Sequence, residues 1–164
     1  MGQDMDDAFG DIHDLLKENR FKIVANLLIN EKTGKLNPPY DIDENHAYYI
    51  LGNIAFKSCD FDKAIAFFKK SIAAWPADVQ AYMALANSYS SKGLPEKAES
   101  ALSSALKMDP ENHTLLYNYA NSLFDQKKFR EAIAIYEKIP KESESAYELA
   151  HKNICTARYY LNKT

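Results

Sequence analysis

The sequence predicts an all-α protein built of helical hairpins that stack on one another, and three observations predict it. A pattern of large, small and helix-stopping residues recurs every 34 residues through 45–78, 79–112 and 113–146. Each period holds two apolar runs at helical spacing, separated by a polar break such as Lys57-Ser58-Cys59-Asp60 or Ser91-Lys92-Gly93-Leu94. Pro76 and Pro110 close the first two periods, where a missing amide hydrogen ends a helix. One such hairpin cannot bury both its faces, so a period of this length implies stacking on neighbours.

The elements follow in order along the chain. Residues 1–5 are expected to be disordered, and Asp6 or Asp7 is suited to cap a helix bearing Phe9, Ile12, Leu15 and Leu16. A polar break at 17–20 leads to a second helix with Phe21, Val24, Leu27 and Leu28 on one face. This pair reads either as a degenerate repeat or as a separate hairpin covering the open end of the stack, because Ile12 stands where the other periods have a small residue. The stretch 33–44 contains a glycine and Pro38-Pro39 and is expected as a loop that completes a 1–44 N-terminal region, with Asp43 capping the next helix.

In the three periods the eighth place is small (Gly52, Ala86, Ala120) and so is the twentieth (Ala64, Ala98, Ala132). These are expected to face each other where the two helices cross. The fourth and seventh places are large (Tyr48, Tyr82, Leu116; Leu51, Leu85, Tyr119), as is the twenty-fourth (Phe68, Leu102, Tyr136). Ser71, Ala105 and Ile139 occupy the twenty-seventh, and Ile139-Pro140 is expected to shorten the last of the six helices. Ser143 is a candidate cap for a final helix over 147–164, whose stripe is Tyr147, Ala150, Ile154, Ala157 and Leu161. That helix reads as a cap on the third period, with a longer array or a second subunit as the other reading.

The pattern resembles the tetratricopeptide repeat, whose signature places an aromatic, Leu, Gly, Ala, an aromatic, Ala and Pro at those seven places and a Tyr at the eleventh. The second period carries it most fully, at Tyr82, Leu85, Ala86, Tyr89, Ala98, Leu102, Ala105 and Pro110. The resemblance implies a right-handed α-solenoid of three repeats, with an N-terminal helical hairpin and a C-terminal capping helix. It also implies a concave groove lined by the first helix of each repeat. By this correspondence the groove residues are Tyr49, Asn53 and Phe56, then Met83 and Asn87, then Tyr117, Asn121 and Phe124. The file Asn53, Asn87, Asn121 suits an extended peptide, since an amide both donates and accepts; Asn is also common at this place in the family. Tyr48, Tyr82, Tyr89 and Tyr119 sit at packing places and read as core.

Composition narrows the function classes. The chain has 164 residues, 46% of them hydrophobic and 26% charged, with a net charge of −3 and three arginines among its basic residues (Arg20, Arg130, Arg158). A nucleic-acid face would need clustered cations, and no apolar run approaches a membrane span. The acidic start lacks the order of a secretory signal, so the expected location is cytoplasmic. Cys59 and Cys155 read as reduced thiols. His13, His46, His113 and His151 fall in different helices without metal spacing, and no glycine-rich phosphate loop occurs. No catalytic set, metal site or cofactor is expected.

Family members that grip acidic chaperone tails use Lys and Asn at the fifth and ninth places of one repeat, Asn at the sixth of the next, and cations at the second and sixth of the third. This chain keeps Asn53 and has Tyr49, Ala84, Thr114 and Asn118 at the others. The expected function is a non-enzymatic protein- or peptide-binding scaffold or assembly factor. The alternatives are a small cytosolic chaperone for a secreted client, which the layout of type III secretion class II chaperones resembles, and a self-associating subunit that forms a homodimer through its N-terminal hairpin or last helix.

Overall fold

The computed structural model describes residues 9–163, and residues 1–5 and the suggested caps Asp6 and Asp7 lie outside them. Regular structure among the described residues is helical: α1 (Gly10–Lys17), α2 (Phe21–Leu28), α3 (Glu44–Lys57), α4 (Phe61–Ala74), α5 (Val79–Ser91), α6 (Pro95–Met108), α7 (His113–Asp125), α8 (Phe129–Tyr136) and α9 (Glu144–Leu161). The chain divides into two compact units, Met1–Pro76 and Ala77–Thr164. No helix of the described residues is long and apolar enough to cross a membrane.

In the first unit, Ile12, Val24 and Leu28 are fully buried in a core with Phe9, Leu36, Ala47, Tyr48, Ile50, Leu51 and Ile54. Leu27, expected on the same face, instead remains 39% exposed. The loop after α2 is held in place by hydrogen bonds. An isolated antiparallel bridge joins Ile29 to Leu36, and Asn37 Nδ2 donates to the carbonyls of Asn26 and Leu27 at the end of α2. Pro38-Pro39 is a cis peptide, followed by a short 3-10 turn over Tyr40–Ile42 that sets Tyr40 against Phe9. Asp43 Oδ1 then accepts from the His46 amide and caps α3.

The α3–α4 crossing also involves the twenty-fourth place. A methyl group added at Gly52 would come within 2.5 Å of Phe68 Cε1, so the eighth place meets the ring of the twenty-fourth. Ala64, expected opposite Gly52, is fully buried, and Phe68 supplies the three atoms nearest to a methyl group built at Gly52. Ser71 at the twenty-seventh place is buried because Asn45 satisfies it: Ser71 Oγ donates to the Asn45 carbonyl and accepts from Asn45 Nδ2 at 2.9 Å.

In the second unit Ala98, Ala105, Ala120 and Ala132 are fully buried, and Ala86 and Leu102 nearly so. Asp78 and Asn112 cap α5 and α7. Glu99 on α6 accepts from Gln126 Nε2 and Lys128 Nζ, which ties α6 to the α7–α8 turn. Those two donors hold the Glu99 carboxyl below the usual carboxylate range, Gln126 contributing more than Lys128. Helix α8 stops at Tyr136, and α9 then buries Ala150, Ile154 and Ala157. Ser143 stands at the start of α9, but its hydroxyl bonds His113 Nδ1 and makes no capping bond.

Every hairpin turn has the same backbone device. Cys59, Gly93 and Lys127, each at the fifteenth place of its period, have φ between 58° and 74°. Asn19, in the α1–α2 turn, has φ 58°. A period counted forward from residue 5 puts Asn19 at its fifteenth place, Ile12 at its eighth and Val24 at its twentieth. The α1–α2 pair thus turns as the repeats do, with larger residues at its crossing.

Candidate functional site

The expected site residues lie on α3, α5 and α7, the first helices of the three repeats. In the first unit Tyr49, Asn53 and Phe56 are half-buried on α3. Tyr49 packs against Phe68 with ring centroids 5.8 Å apart, and Phe56 packs edge-on against Phe61. The Asn53 side chain makes no hydrogen bond within the described residues. It therefore keeps both its donor and its acceptor for another molecule.

In the second unit Asn87 is exposed, and Met83, Tyr117, Asn121 and Phe124 are half-buried. A cleft of about 390 Å³ is lined by Asn87, Ser90, Leu102, Asn118, Asn121, Phe124, Asp125 and Asn153. Four of these eight residues are amides, and one, Asp125, is charged. Phe124 and Asp125 also border a second cleft of about 480 Å³, with Lys127, Phe129, Tyr160 and Lys163 around it. There the Phe129 and Tyr160 rings stack at 5.2 Å.

Asn121 differs from the other two amides of its file. Its Oδ1 accepts from the Tyr136 hydroxyl and, at 3.0 Å, from Asn153 Nδ2. Asn153 also donates to the Tyr136 oxygen at 3.0 Å and reaches Tyr117 Oη at 3.5 Å. The Asn121 carbonyl is thus engaged inside the protein, and its Nδ2 makes no hydrogen bond within the described residues. Burial raises the Tyr136 hydroxyl above the ordinary phenol range, and the bond from Asn153 offsets this only in part. Sequence reasoning missed Asn153, because nothing in the stripe of α9 marks it as a partner of the third repeat.

Of the tyrosines read as core, Tyr48 and Tyr89 are buried, whereas Tyr82 and Tyr119 are half-buried. The histidines are less scattered than their spacing implied. His13 and His46 share a hydrogen bond, Nε2 to Nε2 at 3.1 Å, between α1 and α3. Among the described residues no group of three or more potential metal ligands occurs.

A set of antiparallel helix pairs with small crossing residues, left-handed turn residues and an amide-lined cleft defines an α-helical repeat protein. Two family models described as tetratricopeptide repeat match residues 55–107 and 83–147, together more than half of the chain. The chain belongs to the tetratricopeptide-repeat family, and its fold class is the α-solenoid of helical hairpins. No curated protein matches it significantly. Solved structures do. The Sgt2 domain from Aspergillus fumigatus aligns with TM-score 0.67 at 22% identity, over 73% of this chain and 80% of that one. The second such domain of human RPAP3, in complex with the HSP70 peptide SGPTIEEVD, aligns with TM-score 0.62 at 21% identity, over 70% and 98% of the two chains. The TPR2B domain of yeast Sti1 in its pHsp70 complex gives 0.66 at 16%, over 71% and 98%.

Proposed function

We propose that the protein is a non-enzymatic peptide-binding scaffold or assembly factor. Its binding face in the second unit is Met83, Asn87, Tyr117, Asn121 and Phe124, and in the first unit Tyr49, Asn53 and Phe56. The observation that carries the reading is the amide-lined cleft, where Asn87 and Asn118 each offer a donor and an acceptor, Asn121 its Nδ2 and Asn153 its Oδ1, beside the Phe124 ring. Such a lining matches the alternating amides and carbonyls of an extended backbone. The peptide complexes of the RPAP3 and Sti1 domains support the same use of the fold.

The bound segment is not an acidic chaperone tail. Tyr49, Ala84, Thr114 and Asn118 stand where a carboxylate clamp needs a lysine, an asparagine and two cations, so nothing there holds a terminal carboxylate. SGPTIEEVD is expected not to bind at micromolar concentration, and saturable binding in that range would sink this exclusion.

The test is retention of partners from native lysate by wild type and by the double variant Asn53→Ala, Asn87→Ala. Both side chains are free of internal bonds, so the variant keeps its fold, whereas Asn121 is left intact because Tyr136 and Asn153 depend on it. Each lost hydrogen bond, at about 1 kcal/mol, weakens a partner held on that unit's face by about fivefold. Equal retention by both baits would move the function off this face. One observation favours self-association as a second reading: Leu149, Tyr159 and Tyr160 of α9 are exposed. Light scattering that finds only monomer at high concentration removes it.

A further inference from the structure

Asp125 is placed where a helix least favours an acid. It is the last residue of α7, whose final turn holds no basic residue, so its charge adds to the negative end of the helix dipole. No cation lies within ion-pair distance of it among the described residues. Although the residue is open on one side, enclosure on the other raises its carboxyl above the usual range. The arrangement therefore costs stability by dipole and by desolvation, with no internal contact to offset either. Two other acids of this unit do have cationic partners: Glu99 is held by Lys128 together with Gln126, and Glu137 by Arg158 at 2.9 Å.

The surroundings define what would satisfy the carboxylate. In the amide cleft Asp125 is the one charged residue, flanked by Phe124 and by the neutral donors and acceptors of Asn87, Asn118 and Asn121. On its other side Lys127 and Lys163 border the aromatic cleft and repel a cation from there. A positive group approaching Asp125 is thus directed into the amide cleft. Resting on the peptide-binding reading above, we propose that Asp125 selects a basic side chain of the bound segment. The stem of that lysine or arginine lies along the Phe124 ring, and its cation meets the Asp125 carboxylate. The ion pair would be partly desolvated and hydrogen-bonded, the setting in which such pairs discriminate most.

The experiment passes a degenerate peptide library of one length over the immobilised chain and reads the residue frequencies of the retained pool. Wild type is expected to enrich Lys and Arg at one position by about tenfold, the ratio a charged hydrogen bond supports. Asp125→Asn keeps the shape and removes the charge. It should retain peptides without the basic preference, and Asp125→Lys should prefer Asp and Glu instead. Thermal unfolding of Asp125→Asn should be unchanged or shifted upward, because the unfavourable end charge is gone. Should that variant fold poorly, the wild-type pool selected at high salt replaces it, with the basic preference expected to fall. The same preference in Asp125→Asn, or at high salt, overturns the proposal. A wild-type pool with no basic preference overturns it while leaving peptide binding standing. No retained peptide at all removes the peptide-binding reading, and this inference with it.

Discussion

The first and third repeats close the same hairpin crossing by different chemistry. In both, a ring at the fifth place leans on a ring at the twenty-fourth: Tyr49 on Phe68 at 5.8 Å, Tyr117 on Tyr136 at 5.9 Å. The repeat backbone sets that spacing. In the first repeat Phe68 carries no polar atom, Gly52 lets its ring approach the helix, and Asn53 beside it is left without an internal partner. In the third, Ala120 fills the eighth place, and the Tyr136 hydroxyl needs partners that it finds in Asn121 and Asn153. One hydroxyl group thus converts the ninth-place amide from a surface group into a structural one. The position in a repeat does not by itself say which amides remain available to a ligand.

Breaking the apolar crossing should have the largest effect. Gly52→Ala puts a methyl against the enclosed Phe68 ring and is expected to cost about 1–3 kcal/mol in chemical denaturation, much of it recovered by adding Phe68→Leu. An unchanged midpoint for the single variant would show that the ring can move. Breaking the polar crossing comes next. Tyr136→Phe should cost about 1–2 kcal/mol, and adding Asn153→Ala should then cost less than it does alone, since the two share one network. Strict additivity in that cycle would separate them.

The same hydroxyl predicts a pH effect. Folded Tyr136 stays protonated where the unfolded chain loses its proton, near pH ~10, so stability falls as pH rises above that value. Burial also raises Tyr48 and Tyr119, so Tyr136→Phe should reduce the alkaline slope rather than abolish it. An identical slope in the variant would count against the burial of this group. The smallest effect is expected at Ser71→Ala, about 1 kcal/mol for the paired bonds with Asn45, readable as a modest loss of thermal stability.

Much of the fold was legible because the repeat writes packing as residue size at fixed spacing. Ala64, Ala98 and Ala132 are all fully buried, as their small size at one place implied. Leu27 was misread because periodicity marks a face without saying how wide the covered part is. The site was only half legible. Tyr49 and Asn87 could be placed by counting along one helix, but the partners of Asn121 come from α8 and α9, and a repeat count does not connect those. The His13–His46 bond and the use of Ser143 by His113 were hidden for the same reason: each joins residues about a repeat apart through tertiary packing. The left-handed turn residues were hidden differently, since Cys59 and Lys127 carry side chains that do not announce a positive φ as Gly93 and, more weakly, Asn19 do.

The placement of the two cysteines makes the natural sequence suited to spectroscopy. Cys59 is exposed in the α3–α4 turn and Cys155 is exposed on α9, so each compact unit carries one accessible thiol. A donor–acceptor dye pair or two spin labels can be attached without a single substitution, and the chain then serves as its own molecular ruler. Any ligand that changes the separation of the two units would register as a shift in that distance, in the same sample used to measure its affinity.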